Sequence, residues 1–254
     1  MSEEKIKQAA RIIKQAKRIA ILTGAGVSKE SGVPTFRDAM DGLWAKYDPQ
    51  QLATARAFRQ NPKLVWDWYQ FRVGLVSKAK PNAGHFALAE IEHRFPETWT
   101  ITQNVDALHE ESGSKNVIHL HGNLSQYKCF ANCQGEPTII DIDSFEWDRE
   151  NGPPACPHCG DWVRPNIVWF GEMLPLDQLD KAKIVTVECD VMIVVGTSGL
   201  VTPAADLPRY AKEAGAMIIE ANPDNSMITR IADIKLDGPS GEMLPKVVEA
   251  LGNA

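Results

Sequence analysis

No apolar run in this 254-residue sequence approaches the ~18 residues that a membrane-spanning helix needs, the longest strongly apolar stretch being Val191-Met192-Ile193-Val194-Val195. No membrane partner is therefore expected. An excess of basic charge is also missing. Lys and Arg number 27 against 33 Asp and Glu, a formal charge of −6, so gripping a phosphate backbone is not this chain's business and no direct nucleic-acid partner is expected. Met1-Ser2-Glu3-Glu4-Lys5 lacks both a secretory apolar region and Arg-rich transit character. It leads into an amphipathic helix with Ile6, Ala9, Ala10, Ile13 and Ala16 on one face. Cysteines are few, five in all, and four stand in two close pairs. That pattern is unlike a secreted disulfide framework and suits a metal site in a reducing compartment, with the cytoplasm expected. Nor is there an internal repeat, a low-complexity tract or a long linker.

The composition is 44% apolar and 24% charged, ordinary for a globular chain, and the length suggests one or two domains at about 150 residues each. Arg18 to Thr23 is a short apolar run that ends in Gly24-Ala25-Gly26, a buried strand breaking into a glycine turn. The same grammar recurs at Thr98 to Thr102 before Gln103-Asn104, at Asp190 to Val195 before Gly196-Thr197-Ser198, and at Ala216 to Glu220 before Ala221-Asn222-Pro223. Helical patterns such as Leu207 to Ala214 lie between. Strands alternating with helices predict an α/β fold, a Rossmann-like parallel sheet with helices on both faces and functional residues at the strands' carboxyl ends. Two segments break the alternation and read as insertions. Residues 36–80 contain an aromatic helix, Leu64 to Arg72, opened by Asn61-Pro62; residues 125–165 carry the paired cysteines with few helical signals.

Three features can carry chemistry. Gly24-Ala25-Gly26 after a strand is where a dinucleotide pyrophosphate sits, although Lys29 occupies the place of the third glycine of the dehydrogenase fingerprint; a plain tight turn is the alternative. Cys129-x-x-x-Cys133 and Cys156-Pro157-His158-Cys159 offer four thiolates, a closed set for structural Zn²⁺ with no open position for substrate; a redox pair or unlinked buried cysteines are the alternatives. Cys189 reads as a small buried hydrophobe. Val117 to Gly122 reads as an alternating strand with His119 and His121 on one face, either a general base near neutral pH or satisfied structural histidines. His85, His93 and His109 are read as structural.

Taken together, Gly24-Ala25-Gly26-Val27-Ser28, Ser31-Gly32-Val33-Pro34-Thr35-Phe36-Arg37, Thr102-Gln103-Asn104-Val105-Asp106 and His119-Leu120-His121-Gly122 resemble the sirtuin family of NAD-dependent protein lysine deacylases. Trp169-Phe170-Gly171-Glu172, Gly196-Thr197-Ser198, Asn222-Pro223-Asp224 and Gly238-Pro239-Ser240-Gly241-Glu242 extend the likeness over nearly the whole chain. The resemblance implies that NAD is consumed: the acyl-lysine carbonyl oxygen attacks the anomeric carbon, nicotinamide leaves, and a ribose hydroxyl attacks the resulting imidate. His121 matches the family's general base, with Asn104 also catalytic, whereas His119 matches no catalytic role. Gly24, Ala25, Gly26 and Ser28 match the cofactor loop, and Thr35, Phe36, Arg37 and Trp44 its mobile continuation. Gln103, Asn104, Val105 and Asp106 match the nicotinamide-ribose pocket. Gly196, Thr197 and Ser198 match ribose or phosphate contacts, while Asn222, Pro223, Asp224 and Ser240 match the adenosine end. Val168 to Glu172, including Phe170 and Gly171, resembles a strand that pairs with an acyl-lysine peptide. The first cysteine pair departs from the family in having three intervening residues rather than two, within what zinc tolerates.

The implied domains are 1–35, 81–124 and 166–254 for NAD binding, 36–80 for the cofactor loop and acyl pocket, and 125–165 for zinc. Tyr69-Gln70-Phe71-Arg72 resembles the tyrosine-x-x-arginine pair of class III sirtuins, and Ala53 the small residue that widens their acyl pocket. This implies removal of succinyl and malonyl groups ahead of acetyl, from acylated-lysine proteins or peptides. Packing of an aromatic helix is the plain alternative for Tyr69 and Arg72. A mainly deacetylating enzyme, a protein mono-ADP-ribosyltransferase and a zinc-ribbon interaction module with a vestigial cofactor fold are the competing functions. The sequence does not read out an oligomeric state, and a monomer is the default expectation.

Overall fold

The computed structural model describes residues 2–34 and 49–252. In chain order the elements are α1 (Ser2–Gln15), β1 (Ile19–Thr23), α2 (Gly26–Lys29), α3 (Pro49–Leu52), α4 (Ala55–Gln60), α5 (Pro62–Val76), α6 (Ala83–Arg94), β2 (Thr98–Thr102) and α7 (Leu108–Glu111). There follow β3 (Val117–His119), β4 (Gly122–Cys129), β5 (Val163–Ile167), α8 (Leu176–Glu188), β6 (Val191–Val195), α9 (Leu207–Glu213), β7 (Met217–Asn222), β8 (Ile234–Asp237) and α10 (Ser240–Leu251). They fall into two compact units. The first comprises Met1–Val33, Ala79–Leu120 and Pro175–Ala254, and the second Pro34–Lys78 and His121–Leu174.

The first unit is built on a parallel sheet of order β3-β2-β1-β6-β7-β8. Its central strands, β1 and β6, are near-continuous apolar runs because both faces are covered. Ile19, Ile21, Val191, Ile193 and Ile219 pack with α1 and α10 residues such as Ile13 and Leu244. Ala20, Leu22, Met192 and Val194 alternate to the other face, where α9 lies on β6 and β7. The predicted α1 face, Ile6, Ala9, Ala10, Ile13 and Ala16, is buried throughout, and truncating Ile13 to Ala would cost ~2–5 kcal/mol. The chain leaves β1 toward β2 on one side and later fills the other side from β6 outward. The strand order thus reverses between β1 and β6, and their carboxyl ends frame the crevice in which open parallel sheets bind ligands.

In the second unit β4 and β5 pair antiparallel, and no helix forms between them. Asn61 caps α5, its side chain accepting from Leu64 N at 3.1 Å, and Pro62 takes the first helical position, as the sequence predicts. The buried face of α5 carries Val65, Trp66, Trp68, Tyr69 and Arg72. Trp66 packs on Tyr127 and Trp147, with ring centroids 5.5 and 5.6 Å away, and joins Cys129, Ile140, Ile142, Cys156 and Val163 in one apolar cluster. The expected α/β architecture, with its cysteine module and helical insertion, is what the chain adopts.

Two local expectations are corrected. β3 stops at His119, and His121 lies past it in a turn, so the two histidines do not share one face of one strand. Val168 to Glu172 is not a strand either. β5 ends at Ile167, and Trp169–Glu172 forms a turn closed by Glu172 N on Trp169 O at 3.0 Å, with Gly171 at φ 85° where a side chain would be strained.

Candidate active site

At the crevice of the first unit, backbone meets backbone. A Cβ on Gly24 would stand 2.8 Å from Thr197 Cβ, and one on Gly26 would stand 2.7 Å from Gly196 O. The glycines are therefore required by the approach of the β1 and β6 ends. Gly26 N donates to Gly196 O at 2.8 Å. Gln103 bridges from the β2 end, its Nε2 donating to Thr197 Oγ1 at 3.1 Å and to Thr23 O at 3.3 Å. From the β7 end, Asn222 Nδ2 donates to Thr197 O at 2.9 Å. Ala25, Ser198, Pro223 and Asp224 are exposed along the same strand ends, whereas Ser240 is buried and donates to Glu30 Oε1 at 3.2 Å. Neutral amides and hydroxyls dominate this donor set, which fits ribose hydroxyls and a dinucleotide backbone better than a free cation.

Beside the glycine loop, Ser28 uses its hydroxyl in both senses. It donates to Asp106 Oδ2 and accepts from Asn104 Nδ2, each at 3.0 Å, and all three residues are buried. Asn104 N donates to Thr102 Oγ1 at 3.0 Å, and Leu108 N, at the start of α7, donates to Asp106 Oδ1 at 3.2 Å. Burial pushes the Asp106 carboxyl above its ordinary value, against the pull of the Leu108 amide and Ser28. Val105 is half-buried between them. Thr35, Phe36, Arg37 and Trp44 lie outside the described residues.

The second unit assembles a different set. His121 is half-buried, and its carbonyl accepts from Val168 N at 2.9 Å. Gly122, at φ 79°, has no room for a Cβ against the Asn166 backbone. Ala53, buried, accepts from Phe170 N at 2.9 Å, which ties the α3–α4 turn to the Trp169–Glu172 turn. Tyr69 and Arg72 do share a face: both are buried, with the Arg72 guanidinium 5.9 Å from the Tyr69 ring centroid and 6.0 Å from that of Trp68. Burial pushes the Tyr69 phenol up to about 12 despite the opposing pull of Arg72, so it stays an O–H donor at neutral pH. An open cleft of about 680 Å³, walled by Thr54, Arg56, Asn61, Phe170 and Gly171, runs beside the turn; Tyr69 and Arg72 do not line it.

The four paired cysteines converge. Their Sγ atoms lie within 4.8 Å of one another, with Cys129 to Cys159 at 3.6 Å and Cys133 to Cys156 at 3.9 Å. A tetrahedron of thiolates ~2.3 Å from zinc has edges of ~3.8 Å, so the set fits Zn²⁺ with no movement of consequence. His158 stays outside the cluster, and Cys189 is buried and donates to Thr186 O at 3.2 Å.

Residues 24–203 match the model of the Sir2 family. The chain belongs to that family. An NAD-dependent protein deacylase of Pyrococcus abyssi is 48% identical over 243 residues, covering 96% of each chain. A solved complex of a Sir2 homologue with NAD has 45% identity and a TM-score of 0.87, covering 96% of this chain and 93% of that one. A solved complex of a Sir2 protein with a p53 peptide and NAD⁺ has 31% identity and a TM-score of 0.83, covering 96% and 97%.

Within this Sir2 chain the structure also shows a residue that sequence reasoning missed. Arg164, 2% exposed, holds Glu172 through both carboxylate oxygens, at 2.5 and 3.0 Å, and donates to Ile167 O at 2.7 Å. Glu172 accepts a further bond from Trp169 N at 2.9 Å, so its carboxylate is committed to the loop. A signal existed: one arginine inside the otherwise uncharged strand Val163-Arg164-Pro165-Asn166-Ile167 must find a partner.

Proposed function

We propose that this chain is an NAD-dependent protein lysine deacylase that removes succinyl and malonyl groups in preference to acetyl, acting on acylated-lysine proteins or peptides in a reducing, cytoplasmic setting. NAD, when bound, would supply an anomeric carbon whose bond to nicotinamide breaks; with one water consumed, the products are nicotinamide, an O-acyl-ADP-ribose and the free lysine. The reading assigns residues 1–35, 81–124 and 166–254 to NAD binding, 36–80 to the cofactor loop and acyl pocket, and 125–165 to zinc.

In this reading Gly24 to Gly26, Ser28, Gln103 to Asp106, Gly196 to Ser198 and Asn222 to Asp224 bind the dinucleotide, joined by Ser240 and by Thr35, Phe36, Arg37 and Trp44. Asn104 orients the reacting ribose, and the His121 imidazole takes up a hydroxyl proton. Val168, Phe170 and Gly171 offer backbone to the peptide, and Glu172 serves by fixing their turn through Arg164. The thiolates of Cys129, Cys133, Cys156 and Cys159 hold zinc for structure, since four sulfurs close its coordination.

The observation that carries the acyl preference is the Tyr69–Arg72 pair on the buried face of α5. A guanidinium offers a carboxylate two parallel donors, and a phenol that stays protonated adds a third. A buried cation facing a neutral acetyl chain disfavours that substrate as well, so discrimination runs in both directions. The deciding measurement is mass spectrometry of acetyl-, succinyl-, malonyl- and glutaryl-lysine peptides incubated with NAD. Higher catalytic efficiency on acetyl peptides would overturn the preference while leaving deacylation intact, and ADP-ribose appearing on protein would favour transferase activity.

A further inference from the structure

His119 stands at the carboxyl end of β3, in register with Thr102 at the end of β2. Between Thr102 and α7 runs the loop that carries Gln103, Asn104 and Asp106. One edge of this loop is pinned through Ser28 and Thr102, as described above. The other edge depends on α7, because Asp106 Oδ1 accepts from the amide of Leu108, the first residue of that helix. α7 is a single turn of four residues, too short to hold itself. Its Glu110 Oε1 meets His119 Nε2 at 2.5 Å, the side chains being 40% and 18% exposed. The Asn104 backbone also acts on the same imidazole, whose Nδ1 edge is buried. One ring thus interacts with both the helix and the loop that the helix terminates.

We infer that His119 is a positioning residue for the ribose site: clamped to Glu110, it fixes α7 against β3 and so presents Asn104 and Asp106 in one geometry. This rests on the reading that Asn104 and Asp106 contact NAD. The charge environment agrees. Burial pulls the His119 imidazolium down, but Glu110, the Asn104 backbone and Asp106 together raise it above the ordinary histidine value. His119 is therefore disposed to pair as a cation.

Steady-state kinetics of the full chain, varying NAD and acyl-lysine peptide separately, test this with His119→Leu, His119→Gln, Glu110→Gln, the double variant His119→Leu/Glu110→Gln, and Asn104→Ala. His119→Leu is expected to raise the KM for NAD about tenfold and Glu110→Gln, which keeps the acceptor oxygen but loses the charge, by less, with kcat at saturating NAD and the peptide KM within about twofold of the parent. The double variant should be no worse than His119→Leu alone, since both remove one clamp. His119→Gln, which keeps a side-chain N–H donor, should recover most of the NAD affinity. An unchanged KM for NAD in the His119→Leu variant overturns the inference, as does an equal loss in kcat and both KM values. Should Asn104→Ala leave NAD kinetics untouched, the reading of the loop itself fails, independently of what His119 does.

Discussion

Arg164 lies face-on over the Trp169 indole, its guanidinium carbon 3.3 Å from the ring centroid, while the same guanidinium grips Glu172 from the far side of the turn. A cation stacked on one end of a four-residue turn and ion-paired to the other leaves that turn one conformation. The pair is buried on the arginine side, and removing one partner of such a pair typically costs ~3–5 kcal/mol because the survivor is stranded. Glu172→Gln is therefore expected to lower the melting temperature by about 10 °C and to raise the peptide KM, with the KM for NAD unaffected. Calorimetry together with the two KM values checks this, and an unaltered melting temperature would show the clamp to be dispensable.

His121→Ala should lower deacylation by ~10²–10⁴-fold in kcat while circular dichroism and NAD binding stay close to the parent. A structural histidine would instead lose activity in proportion to folded protein. The contrast with His119 is sharp, because there the effect is expected in NAD affinity with turnover retained. Turnover within tenfold of the parent in a folded His121→Ala enzyme would remove this residue from the chemistry.

Replacing Arg72 by Met keeps much of the apolar stem and deletes the fork. The KM for succinyl-lysine peptide should rise at least about tenfold, the scale of a lost charge-assisted hydrogen bond, with weak deacetylation unchanged or improved. Equal losses on both substrates would assign Arg72 to packing against Trp68 and Tyr69.

Acid should destabilise the first unit through two buried rings. His85 and His109 are fully buried and packed edge to face at 5.1 Å, and burial pushes them down to about 4 and about 3. Both are neutral when folded, but they take up protons in the unfolded chain below the ordinary histidine value of about 6.5. Their stabilising contribution is thus complete above that pH and drains away as the pH falls toward the folded values, by up to ~1.4 kcal/mol per unit for each ring. Urea midpoints between pH 7.5 and 5.0 should fall accordingly, and His85→Gln should shrink the slope. A midpoint flat across this range would mean the rings titrate alike in both states.

What the sequence discloses and what it hides follow from range. Val191 to Val195 and Ile19 to Thr23 are legible because strands covered on both faces must be apolar throughout. Asn61-Pro62 is legible because capping is settled within three residues. The zinc thiolates are legible because ligand chemistry restricts spacing. Arg164 on Trp169 and Glu172 is a matter of how a turn folds back, and no periodicity marks it. The apparent strand at Val168 to Glu172 fails because Gly171 adopts a left-handed conformation, and alternation says nothing about that. His119 and His121 have strand spacing, yet the strand ends between them.

Trp66 belongs to the cluster that includes Cys129 and Cys156, and the helix that carries it also carries Tyr69 and Arg72. The coordination sphere is thus the footing on which the rotational setting of α5 rests. If α5 reads the acyl carboxylate, then the enzyme's choice among acyl groups is inherited from a metal that never meets a substrate. On that reading, zinc loss would blur the choice among acyl groups as well as erode stability.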